Sequence, residues 1–315
     1  MRKVLWLPVI LFIANFGSFA YAHFARHVLA LQNPYGLASA PPDLVTLYGG
    51  HLARMAGGDF GRLPVGSQPP ILGMLLEGLV ASLGLVGLAF GLSAVVGVAL
   101  GIAAAQVEPP RLAGWLAPLT SFGLALPGFY IGTLAIVVSL WLIFRGLPTP
   151  LPVGGFGWDL HLVLPVIALA LRPTAQIAAI TANLLVDELK KQYAVTARSV
   201  GHTWRGVRWR HALPAALSSV TLSLAGGFRQ TLAELVLVES IFNWPGLGRL
   251  IAQTLVAPSV FSVGGADTGI YFLHPEILAA LITLLVAVFY LTDVIATLLA
   301  RAADPRLRQA DSLTA

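Results

Sequence analysis

The sequence predicts an all-α polytopic membrane protein, and three observations carry that reading. Hydrophobic residues make up 57% of the 315-residue chain and charged residues only 10%, where a soluble domain carries about 25%. Gly78–Val107 and Leu112–Phe144 hold no charge, and each exceeds the ~20 residues a helix needs to cross a bilayer core. The apolar runs lack the alternation over ~10-residue segments that a β-barrel requires. Cysteine is absent, which excludes disulfides, thiolate nucleophiles and cysteine metal sites. The formal charge of +5 reports topology rather than nucleic-acid affinity, because lysine and arginine in such a chain mark the cytoplasmic side.

The elements follow in order. Arg2 and Lys3 precede an apolar run, Val4–Ala22, which predicts a first helix over about 4–24. Ala20-Tyr21-Ala22 resembles a signal-peptidase site, so a cleaved leader is the competing reading. The rest of region 1–74 is an external loop, rich in proline and glycine, with one short helix around Asp43–Met55. Region 75–300 holds five more helices. The first, at about 79–105, is lined by Gly84, Gly87, Gly91, Gly97 and Gly101, small residues that let helices approach closely in lipid. Gln106–Arg111 makes a short turn. The third span, within 113–144, is expected to kink at Pro118 and at Leu126-Pro127-Gly128-Phe129. The fourth runs over 160–183 with Arg172-Pro173 inside it, and its helix continues through Asp187–Val200. Spans at about 215–240 and 276–300 complete the set, separated by an external segment, and 301–315 is a tail.

Six spans put both termini on one side. That side would hold Arg2, Lys3, Arg111, Lys190, Lys191, Arg198, Arg205, Arg208, Arg210, Arg301, Arg306 and Arg308. The other holds Arg26, Arg54, Arg62, Arg145 and Arg249 over much more chain. The positive-inside rule therefore makes the termini and the connector 184–214 cytoplasmic.

That connector is the most informative stretch. Its segment Thr196–Pro214 reads TARSVGHTWRGVRWRHALP. Gly201 fits a helix C-cap and Thr203 an N-cap, so a short helix is expected over about Trp204–Ala212. Pro214 then falls at the first turn of the next span. The expected order is helix, break, short helix, break, helix. At α-helical spacing Trp204, Val207, Arg208 and His211 share one face. Read blandly, the arginines and tryptophans are a topology anchor.

The spacing resembles the cytoplasmic signature loop of binding-protein-dependent ABC importer permeases: E-A-A, three residues, G, nine residues, I-x-L-P. Ala197, Gly201, Leu213 and Pro214 match it, and Val195, Thr196 and His211 depart from it. YAVTARSVG, RHALPAAL, VESIFNWPGLGRL, ADPRLR and GDFGRLPVGSQPP resemble blocks of the dipeptide/oligopeptide (nickel) permease branch, in patches over about 57–308. Two features differ: what looks like an insertion at about Ala257–Leu273, and Glu234 where a small residue is usual.

The resemblance implies a type I ABC importer permease fold, with 75–300 as the permease domain and 193–214 as an ATPase-coupling loop. Ala197, Gly201, Thr203, Trp204, Arg205, Val207, Arg208, His211, Leu213 and Pro214 are its candidate residues. It implies a channel-forming subunit for di- or oligopeptides in a bacterial or archaeal cytoplasmic (inner) membrane. Nickel or another small solute is the in-family alternative, and an ion-coupled secondary transporter the alternative from another class. The implied partners are a second homologous permease, two ATPase subunits carrying ATP and magnesium, an extracytoplasmic solute-binding protein and membrane lipid, with no nucleic acid.

The chain itself is expected to bind no cofactor and to catalyse nothing. Its only lysines are Lys3, Lys190 and Lys191, and none follows a glycine, so G-x-x-x-x-G-K-[ST] is missing. So is the G-x-S-x-G of a serine hydrolase. His23 and His27 form the one H-x-x-x-H pair, without the glutamate or third ligand of a zinc site. Arg172, Arg229, Glu234, Glu239 and Asp293 fall within or near the ends of spans, where an ionisable group faces a partner or a water-filled path. Arg172, Arg229 and Glu234 are candidates for a translocation pathway, or for structural ion pairs. Arg229 and Glu234, about 140° apart around a helix, should not pair, whereas Arg172 and Glu234 can pair across two helices.

Overall fold

The computed structural model describes residues 6–32, 43–63, 69–149, 151–256 and 271–303. In chain order the elements are α1 Leu7–Gln32, α2 Leu44–Ala56, α3 Ile71–Ala104, β1 Ala105–Val107, β2 Pro110–Leu112, α4 Leu116–Ala125, α5 Gly128–Phe144, α6 Val163–Leu189, α7 Gln192–Ser199, α8 Trp204–Val207, α9 Leu213–Ile241, α10 Leu247–Leu255 and α11 Pro275–Ala303. A 3-10 turn, Leu160–Leu162, precedes α6, and a π-helical segment, Arg208–Ala212, joins α8 to α9. The chain divides into two compact units, Met1–Leu83 with Asn243–Leu291, and Gly84–Phe242 with Thr292–Ala315.

In the first unit α1 runs past Ala22 to Gln32, longer than the apolar run that predicts it. The Asp43 carboxylate starts α2 by accepting from the backbone N–H and the hydroxyl of Thr46, at 3.1 and 2.7 Å. Those bonds hold its carboxyl below the usual value. The Asn15 amide donates to Thr283 (3.0 Å) and accepts from the Tyr48 hydroxyl (3.1 Å), which ties α1 to α11 and α2. Arg54 pairs with Glu276. Asn243, at φ 56°, turns the chain into Trp244. The buried Trp244 indole donates to the Ala81 carbonyl at 3.1 Å, and the Leu247 N–H donates to Ser82 Oγ at 2.8 Å. Most of the expected insertion at 257–273 lies outside the described residues.

His51 is buried in this unit with its ring 5.1 Å from that of Phe19. Burial pulls the imidazoles of His51 and His274 below their ordinary value. Each therefore takes up a proton less readily folded than unfolded; where the two states differ the unfolded chain binds more protons, so stability rises with pH. Their contribution is full above about pH 6.5 and is lost as pH falls through the depressed folded values. The melting temperature of the purified protein is expected to be lower in acid than at neutral pH. The His51→Gln/His274→Gln double variant should narrow the gap; an unchanged gap would remove these two histidines from the effect.

In the second unit α6 packs against α4, α5 and α9. Glycine makes this closeness possible at Gly97, where a Cβ would meet Ile177 at 2.8 Å, and at Gly101, where it would meet Thr181 at 2.5 Å. Gly84 packs under Trp158, whereas Gly87 and Gly91 have nothing within 4 Å of that position. The turn expected at 106–111 is an antiparallel hairpin pairing Ala105 with Leu112.

The third span departs from a kinked helix. Pro118 lies in the first turn of α4, where proline costs nothing. Leu126, before Pro127, is forced to extended backbone (φ −98°, ψ 119°). The result is a break, with α4 and α5 bent by 87°.

Among the described residues four helices are long and apolar enough to cross a membrane, five with the bent pair counted as one span. The remaining expected span is α9, whose 29 residues give ample length at about 1.5 Å each. It is less apolar, carrying Arg229, Glu234 and Glu239.

Candidate functional site

The connector is built outward from the C-terminal end of α6. Its helix does not run on to Val200 as the sequence suggests. It stops at Leu189, Lys191 is extended (ψ 155°), and α7 starts afresh at Gln192. Glu188 holds this joint, pairing with Lys191 and accepting from the Tyr193 hydroxyl at 2.9 Å. Burial, then Glu188, pushes the Tyr193 phenol well above its usual range. A fully buried apolar cluster forms the base: Leu185 and Leu189 of α6, Ala105 of the hairpin, Ala194, Val207 and Ala212. Ala197, Trp204 and Leu213 pack against it.

Gly201 makes the turn. Its φ is +98°, the region that disfavours side chains. Its N–H donates to the Arg198 carbonyl at 3.0 Å, and the N–H of His202 reaches back to Ala197 at 3.1 Å, the two bonds of a Schellman motif. Thr203 Oγ1 then accepts from the Gly206 N–H at 3.1 Å, the expected N-cap. Arg198 spans the turn, donating to the His202 carbonyl at 2.8 Å and lying over the Trp204 ring at 5.1 Å.

The second expected break does not exist. Backbone angles stay helical from Val207 through Leu213, and α8 passes into α9 through the π segment. Pro214 supplies the reason. It has no N–H for the Arg210 carbonyl, and its ring crowds that carbonyl in an α-helix. The wider turn, closed by the Leu213 N–H on the Arg208 carbonyl, accommodates it without breaking the helix.

The π turn also reassigns the faces. Val207 and Ala212, five apart, are the buried pair. His211 leaves the expected face and is exposed, edge-on to His202 at 5.5 Å. Trp204 and Arg208 stay half-buried on the side of Val207, Trp204 packing on the buried cluster and Arg208 reaching the Ala105 carbonyl at 3.5 Å. Outward stand Arg205, Trp209, Arg210 and Pro214, beside Val195 and Val200.

The intramembrane charges form two pairs. Glu234 of α9 is buried and engages both carboxylate oxygens. One accepts from Arg172 of α6 at 3.1 Å, as the sequence suggests, and the other from the Gly128 N–H at 2.9 Å. That N–H is the first of α5, so the carboxylate sits at a helix N-terminus, where negative charge is favoured. The approach requires glycine, since a Cβ at 128 would lie 2.3 Å from that oxygen and 2.4 Å from the Ala168 carbonyl. Arg229 does not meet Glu234. It pairs with Asp293 of α11 at 3.1 Å, a partner the sequence lists among the in-span charges without matching the two. Glu239 is fully buried. No cluster of three histidine or acidic side chains suited to a metal occurs among the described residues.

Comparison with known proteins fits this arrangement. The profile of the family described as the binding-protein-dependent transport system inner membrane component matches residues 97–309, more than half of the chain. The oligopeptide transport system permease OppB of Escherichia coli is 30% identical over 212 residues, covering 67% of this chain and 68% of that one. The dipeptide transport system permease DppB of Lactococcus lactis subsp. cremoris is 28% identical over 279 residues, 88% of this chain and 84% of that one. Among solved structures, a chain of the MetNI methionine ABC transporter in an inward-facing conformation superposes with a TM-score of 0.54. It covers 74% of this chain and 97% of that one at 16% identity, which shows a shared fold. The chain belongs to the family of binding-protein-dependent transport system inner membrane components.

Proposed function

We propose that this family member is one transmembrane permease subunit of an ATP-driven importer for di- or oligopeptides, and that 193–214 is the lever on which partner ATPases act. One observation carries the reading. On the side marked cytoplasmic by its arginines, the connector exposes Val200 (75%) and Trp209 (45%) beside Arg205 and Arg210, while its inner face is locked into a buried cluster. A rigid base with an apolar and basic outer face suits docking onto an acidic-rimmed cleft of another protein. Because α8 continues into α9 through the π segment, a push on Trp204–Arg210 moves the membrane helix as a rigid body. The chain lacks G-x-x-x-x-G-K-[ST], and this reading assigns ATP and magnesium to the ATPases.

The remaining partners follow from the same reading: a second homologous permease, two ATPase subunits and a solute-binding protein on the far side of an inner membrane, with both termini of this chain cytoplasmic. The Arg172–Glu234 pair is assigned to anchoring the α5 start, and Arg229 with Asp293 to the translocation path.

The complete assembly, reconstituted in proteoliposomes with its binding protein, is expected to accumulate labelled di- and tripeptides only when ATP is present on the ATPase side. Accumulation of nickel instead of peptide would change the substrate class. Uptake by the isolated chain on an ion gradient would contradict the importer assignment.

A further inference from the structure

The immediate neighbours of Arg229 and Asp293, Phe228 and Thr292, line an apolar cavity of about 330 Å³, at the lower end of the ~300–1,000 Å³ typical of small-ligand sites. Phe90 of α3, Leu224, Ala225 and Phe228 of α9 and Ile295 of α11 line it. The Phe90 and Phe228 rings meet edge to face at 5.0 Å, giving one firm aromatic wall. Arg229 follows Phe228 directly, and Asp293 lies two residues before Ile295, so the charges and the apolar wall share one stretch of α9 and α11.

Both charged side chains are far from buried, 49% exposed for Arg229 and 36% for Asp293. Arg229 lies near the middle of the 29-residue α9, followed by Gln230 and Thr231, and Asp293 follows Thr292 near the end of the apolar stretch Pro275–Ile295 of α11. A half-exposed ion pair anchored in the middle of α9 does not face hydrocarbon; groups of this kind face a water-filled cavity or another protein. Ala225, which lines the cavity, lies one helical turn before Arg229 on the same side of α9, so the cavity borders that wet or partnered face.

An α-peptide matches what this face offers. It carries one ammonium, one carboxylate and apolar side chains. We infer that the cavity receives an apolar side chain of the translocated peptide, while Arg229 takes its carboxylate and Asp293 its ammonium. The two residues neutralise each other when the path is empty, and exchanging that bond for the two termini of a zwitterion keeps the local charge balanced. This assignment rests on the peptide reading above and adds a site that discriminates by side-chain size.

The test uses the reconstituted importer with one fixed binding protein, so that selection by that protein cancels between wild type and variant. Uptake of dileucine and diglycine is compared in each. Ala225→Trp fills the cavity and is expected to lower the dileucine-to-diglycine uptake ratio about tenfold, the size expected from losing the burial of one leucine side chain. Leu224→Ala widens the cavity and is expected to raise diphenylalanine uptake relative to dileucine. Equal losses for every peptide, as from a disturbed permease pair or a displaced lipid chain, overturn the assignment, and so do ratios unchanged in both variants. A wild-type assembly that imports none of these peptides with ATP overturns the peptide reading itself, and the cavity assignment with it.

Discussion

Replacing Gly201 with valine is expected to cut ATP-driven uptake about tenfold or more, because the turn it holds demands a backbone that valine resists. Nothing lies within 4 Å of the position a Cβ would take there, so bulk is not the obstacle. Conformation is: φ is +98°, and a β-branched residue held there costs roughly 1–3 kcal/mol. The chain escapes that strain by giving up the bonds from Gly201 to Arg198 and from His202 to Ala197. The placement of Arg198 over Trp204 goes with them. The lever then loses its fixed angle to α7 while its own N-cap at Thr203 survives. Uptake should fall further than ATP hydrolysis, which separates loss of coupling from loss of assembly. Gly201→Asn is expected to be milder, since asparagine enters the left-handed region more readily. Wild-type uptake by Gly201→Val would show that this backbone geometry does not matter.

Replacing Glu234 with alanine is expected to cost about 2–4 kcal/mol of stability, somewhat below the ~3–5 kcal/mol for breaking a fully buried ion pair. The discount reflects Arg172, whose side chain is 38% exposed and recovers some hydration. The loss has two sources. Arg172 keeps its charge without its partner, and the Gly128 N–H at the start of α5 is left against the Ala168 backbone with no acceptor. Glu234→Gln separates them, since the amide oxygen still accepts from Gly128 while the charge is gone. Denaturation in detergent should rank wild type above Gln above Ala. If Gln and Ala are equally stable, the bond to the broken helix contributes nothing and only the ion pair matters. If Glu234→Gln changes the peptides transported without changing stability, Glu234 faces the path.

Several features were legible from spacing alone. Gly201 and Thr203 announce a C-cap and an N-cap two residues apart, and both form. Asp43 announces the start of α2. Arg172 and Glu234 stand out because a charge in an apolar run needs a partner, and each is the other's. Asp293 carried the same signal, but two unmatched charges on different helices do not reveal which pairs with which until the helices pack.

The misread features share a cause in backbone geometry that residue periodicity does not encode. α-Helical spacing puts His211 on one face with Trp204, Val207 and Arg208, yet the π turn that Pro214 imposes shifts the register, so that Ala212 is buried with Val207 instead. The proline thus signalled an altered helix rather than a break. Pro118 and Pro127 are alike in sequence, but one sits in a first turn and the other follows a residue forced to extended backbone. The hairpin at 105–112 was hidden because its prolines advertise only a turn, although Ala105 in its first strand is part of the connector's buried base.

Docking of the connector on an ATPase is tested most directly by proximity, and the absence of cysteine from the chain makes the experiment clean. A single cysteine is placed at Val200, the most exposed apolar residue of the connector, or at Val45 of α2, equally exposed on the segment assigned to the opposite side. Each is labelled with a photoreactive maleimide in the assembled transporter and illuminated. A coupling lever predicts a cross-link to an ATPase subunit from Val200→Cys, changed in yield by ATP, and none from Val45→Cys. Capture of lipid alone from Val200→Cys would contradict it and leave the stretch a basic anchor at the membrane surface.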